Sequence, residues 1–129
     1  MEKYNLFAAW MGVLFGLLSG LVMGLWFHKD TWLGGYDSWP RRLLRLGHIS
    51  FFGIAFLNFA FVGTVAYLHV NQDAIFVPSI LFIVAQIAMP TVCLLAALKK
   101  QLRHLFAVPV VSVIAATALF LFALQGVLR

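Results

Sequence analysis

Four histidines (His28, His48, His69 and His104) and two amides (Asn58 and Gln86) carry most of the chemistry available to this 129-residue chain. A b-type haem needs two axial imidazoles from different helices, small residues beside the ring and basic residues near the propionates. Gly47 precedes His48, and Arg41, Arg42 and Arg45 come roughly one to two helical turns before it. His48 paired with His28 or His104 is therefore the expected cofactor-binding set, with haem b as the ligand. Asn58 and Gln86 fall near mid-depth of two adjacent apolar stretches. Amides so placed either clamp neighbouring helices or hold the carbonyl of a quinone or small solute.

Other chemistries lack their parts. No H-x-x-x-H pair and no Cys/His cluster at metal-ligand spacing occurs, so no metal is expected. The single cysteine, Cys93, reads as a small buried apolar residue. There is no Ser/His/Asp set, no glycine-rich phosphate loop and no carboxylate pair, which argues against catalysis by the chain alone.

The elements that must position these groups follow from composition. Apolar residues make up 64% of the chain and charged ones 10%, with a mean hydropathy of +1.00, which excludes a soluble domain. Four uncharged stretches, roughly 5–27, 46–68, 77–98 and 105–127, each exceed the approximately 20 residues needed to cross a bilayer as a helix. The expected fold is all-α: a single domain over 1–129 with four transmembrane helices in an up-and-down bundle, joined by short connections at 69–76 and 99–104. The first stretch is too long for a signal-peptide core and is expected to stay in the mature chain.

Within this frame, Ala8, Gly12, Gly16, Gly20 and Gly24 give helix 1 a small residue at every fourth position, a surface for close packing. Pro90 removes a backbone donor from helix 3, leaves the carbonyl of Gln86 without its usual partner and predicts a kink. Asp37 or Ser38 ahead of Pro40 marks the start of helix 2 near residue 39. Phe52, Phe56 and Phe59 share one flank of that helix. Arg41, Arg42 and Arg45, with Trp26, Trp32 and Trp39, read as a shelf for lipid headgroups or a partner subunit.

The net charge of +5 reflects topology rather than nucleic acid. Segments 28–45 and 99–104 carry most of the basic residues and are expected on the cytoplasmic side of a cell (inner) membrane. Both termini, with Lys3 and Arg129, are then expected outside. No Asp, Glu, Lys or Arg falls inside a span, against the habit of proton-coupled antiporters.

The leading expectation is a non-catalytic multi-pass subunit that stabilises or extends a larger membrane complex of the energy-transducing or redox kind. Its partners are lipid and other transmembrane subunits. One alternative is an electron-transfer subunit that binds haem b or contacts a quinone. Another is a small homo-oligomeric channel or solute carrier with Asn58 and Gln86 along a pore.

Overall fold

The computed structural model describes residues 1–128; Arg129, assigned above to the outer side, lies outside them. Four α-helices account for most of the chain: α1 (Glu2–Trp26), α2 (Trp39–Leu68), α3 (Gln72–Leu98) and α4 (Ala107–Leu128). Short 3-10 segments, Trp32–Gly34 and Lys100–Phe106, precede α2 and α4, and no strand occurs among the described residues. The described residues thus hold four helical segments long and apolar enough to cross a membrane, the last counted from Lys100 to Val127.

Local chemistry sets the helix ends. Ser38 is extended and its hydroxyl accepts from the backbone N–H of Arg41, while Pro40 starts the first turn, so α2 begins before its arginines. It ends at His69, which adopts the left-handed conformation. Asn71 caps α3 by accepting from the N–H of Asp73 at 3.0 Å, and Asp73 suits the positive end of the helix dipole. The connection between α2 and α3 therefore shrinks to 69–71 from the expected 69–76. Helix α3 runs unbroken through Pro78 and Pro90.

Contacts between helices fix direction. Gly12 faces Ala55, Gly16 faces Phe52 and Gly20 faces His48, so residue numbers fall along α2 as they rise along α1. Asn58 reaches the carbonyl of Phe82, and Gly47 faces Cys93, so α2 and α3 are likewise antiparallel. Helix α2 packs extensively against both α1 and α3, α4 packs along α3, and α1 meets α3 only lightly. A cluster of Phe61, Val65, Val70, Ile75, Phe82, Ala116 and Phe120 joins α2, α3 and α4, with the Phe61 and Phe120 rings 4.8 Å apart.

Lipid tails are as apolar as leucine, so helices in a bilayer associate through close packing and hydrogen bonds instead of hydrophobic burial. The α1 seam shows this. A β-carbon on Gly16 would lie 2.6 Å from the Phe52 ring, and one on Gly20 would lie 2.8 Å from Cε1 of His48. Gly24 has nothing within 4 Å and stands outside the seam. The buried line on α1 is Asn5, Ala9, Gly12 and Gly16, so it enters through Ala9 rather than Ala8. Gly16→Leu is expected to destabilise the fold by about 1–3 kcal/mol through overpacking against Phe52. Gly24→Leu should leave the thermal midpoint in detergent near wild type, and equal effects at the two positions would refute this seam.

Candidate functional site

Asn5, on the first turns of α1, reaches both other helices of the packed trio. Its Nδ2 donates to Oδ1 of Asn58 at 2.9 Å and to the carbonyl of Ser79 at 3.1 Å, and its Oδ1 accepts from the Ser79 hydroxyl. Asn58 Nδ2 donates onward to the carbonyl of Ile54 at 3.1 Å. All three side chains are fully buried. Asn58 thus works as part of a three-helix clamp, and Gln86 is not its partner. Asn5 escaped the sequence reading because it sits three residues from Glu2 at the margin of an apolar stretch. The available signal was its register with Ala9, Gly12 and Gly16.

At the opposite end of α1 the fastening is Arg41, only 2% exposed. Its Nη2 donates to the carbonyls of Phe27 and Lys29, each at 3.0 Å, and the guanidinium lies over the Phe27 and Trp32 rings. The last carbonyls of a helix have no partner within the helix and carry its negative partial charge. A planar fork with several donors reaches from α2 to the carbonyl of Phe27, the residue that caps α1, and to that of Lys29 just beyond it. Arg41 is accordingly withdrawn from the expected headgroup shelf. Arg42 is exposed, and Arg45 lies over the Tyr36 ring at 4.0 Å. Trp39 donates from Nε1 to the carbonyl of Ala96 at 2.8 Å, tying the start of α2 to α3. Trp26 is exposed and Trp32 half-buried.

Between these fastenings α1 meets α3 only lightly, with Gly12 against Gln86, and a groove is left beside α2. One part, about 630 Å³, is lined by residues including Tyr4, Met11, Gln86 and Ile87. A second part, about 450 Å³, includes Ser19, Trp32 and His48. The two share Phe15, Phe51, Pro90 and Leu94, which makes them neighbours along one cleft.

His48 is half-buried, its ring edge-on to Phe52 and its Nδ1 at 2.9 Å from the Ser19 hydroxyl. That hydroxyl donates its one proton to the carbonyl of Gly16 at 2.8 Å. Both bonds are made together only if Nδ1 carries a proton and Ser19 accepts it; in the neutral imidazole Nε2 then keeps its lone pair. Gln86 Nε2 donates to the carbonyl of Phe51 at 3.2 Å, which fixes the amide's orientation. Its Oε1 is buried and has no partner among the described residues. His28 and His104 are exposed in the segments before α2 and α4, and His69 is exposed at the end of α2. The structure joins His48 to Ser19 and brings none of these three to it. The chain matches no family model, no curated protein and no solved structure.

Asn58→Leu should cost about 1–2 kcal/mol, since it leaves buried groups on α1 and α3 short of a partner. Combining it with Asn5→Leu should cost less than the sum of the two single changes, as thermal midpoints in detergent would show; strict additivity would argue against the clamp. Arg41→Lys should speed amide hydrogen exchange over residues 27–34, because one ammonium cannot reproduce the fork across two carbonyls. Unchanged exchange there would contradict the assigned role.

Proposed function

We propose that the chain is a non-catalytic multi-pass membrane subunit that stabilises or extends a larger membrane complex of the energy-transducing or redox class. One observation carries this reading: the buried amides of the apolar helices, with Ser79 and Ser19, are engaged in holding those helices to one another. Asn5, Asn58 and Ser79 bind α1, α2 and α3 together, and Ser19 binds His48 across α1 and α2. Such bonds make a rigid unit suited to support.

The outward faces suit the same role. Leu14, Leu17, Leu21 and Leu25 on α1, and Val111, Ile114 and Phe122 on α4, are exposed, giving two apolar surfaces for lipid or other transmembrane helices. In this reading the four helices form an up-and-down bundle, glycine-lined on α1 and bent at Pro90. Segments 28–45 and 99–104 face the cytoplasm, and both termini face the periplasm across the inner membrane.

The test is native electrophoresis of a tagged copy extracted from its own membrane in mild detergent, with a photo-crosslinker at Leu17 or Phe122. Migration well above the chain's own mass, with a transmembrane partner crosslinked at one of these positions, is the expected outcome. A free monomer with crosslinks to lipid alone would overturn the proposal.

A further inference from the structure

His48 and Gln86, on neighbouring parts of the α1–α3 groove, each carry an acceptor with no partner among the described residues. One is Nε2 of His48, left with a lone pair because Ser19 takes the proton on Nδ1. The other is Oε1 of Gln86, whose side chain is 5% exposed and whose amide is oriented by the Phe51 carbonyl. Water does not reach hydrocarbon in quantity, so an unpaired acceptor there is costly and a ligand that donates to it gains correspondingly.

Their spacing narrows the ligand. Gln86 Nε2 packs opposite Gly12 and His48 Cε1 opposite Gly20 on the same helix. At 1.5 Å per residue, those positions lie about 12 Å apart along α1. A para-hydroquinone, about 5.5 Å between its oxygens, reaches about 11 Å when a hydrogen bond of about 2.8 Å is added at each end. The groove parts carrying the two acceptors share Phe15 and Phe51, whose rings are 6.1 Å apart and inclined by 33°. Aromatic walls of this kind suit a flat ring.

We infer that the groove binds an isoprenoid quinol, its two ring hydroxyls donating to His48 Nε2 and Gln86 Oε1 and its tail lying past Met11 and Ile87. Hydrogen-bond polarity selects the reduced form. A quinone presents two acceptors to two acceptors, a sterol supplies one donor, and an acyl chain supplies none. This goes beyond a supporting role and is tested without any partner subunit.

The experiment uses the full chain in phosphatidylcholine nanodiscs with a decyl-tailed benzoquinol under anaerobic reducing conditions, reading saturable binding in excess of empty discs. One quinol per chain is expected, bound about tenfold or more tighter than the corresponding quinone. The monomethyl ether of the quinol should also lose about tenfold, a comparison needing no altered protein. Gln86→Met and His48→Phe, in variants that keep wild-type helix content, should each weaken the quinol about tenfold and leave the quinone unchanged. Leu94→Trp, which fills the shared segment, should abolish both. Equal affinity for quinol and quinone, no loss on methylation, or equal competition by cholesterol would each overturn the assignment.

Discussion

A polar atom placed in hydrocarbon must find its partner within the protein, because the solvent offers none. This chain meets that requirement both within helices, where Ser50, Thr64, Thr91, Ser112 and Thr117 bond to their own backbone, and across them. Asn5 bonds to both α2 and α3, so the least hydrophobic side chain of the α1 seam holds three helices in register. Close approach at Gly12, Gly16 and Gly20 follows from the same arrangement: once the amides fix the Asn5 end, only residues without a β-carbon let α1 lie against Gln86, Phe52 and His48.

Helix α1 is held at both ends by different means. Buried amides hold the start, and the Arg41 guanidinium gathers the carbonyls at the finish. Between the fastenings α1 meets α3 only lightly, with Gly12 against Gln86, and the groove runs alongside. The acceptors beside it arise from the same economy of donors: Ser19 has one proton and gives it to Gly16, and Gln86 turns its amide nitrogen to Phe51. These two acceptors are what tie the supporting role to the ligand proposed for the groove.

Much of the fold was legible because bilayer thickness and charge exclusion act on whole stretches of sequence. The start of α2 was legible too, since Ser38 and Pro40 mark it just ahead of Trp39 and the arginines; the start of α3 was less so, because Asn71 caps a helix that already begins at Gln72. The partner of His48 was not legible. Ser19 reads as one more small residue on a glycine-rich helix, and its bond to His48 depends on the rotation of α1 against α2. Arg41 shows the same limit, because an arginine beside an apolar span reads as a headgroup contact until the carbonyls of Phe27 and Lys29 are placed beneath it. Asn58 and Gln86 were visible as unusual residues, but which neighbour each meets is a property of the assembled trio.

The central claim is that hydrogen bonding among the helices leaves a defined acceptor on His48. Its most direct test is the nitrogen-15 spectrum of the histidine-labelled chain in lipid bilayers, with His48 assigned by substitution and the pH set so that the imidazole is neutral. The account predicts a protonated Nδ1 coupled to Ser19 and an unprotonated Nε2. A protonated Nε2 with a bare Nδ1 would contradict it.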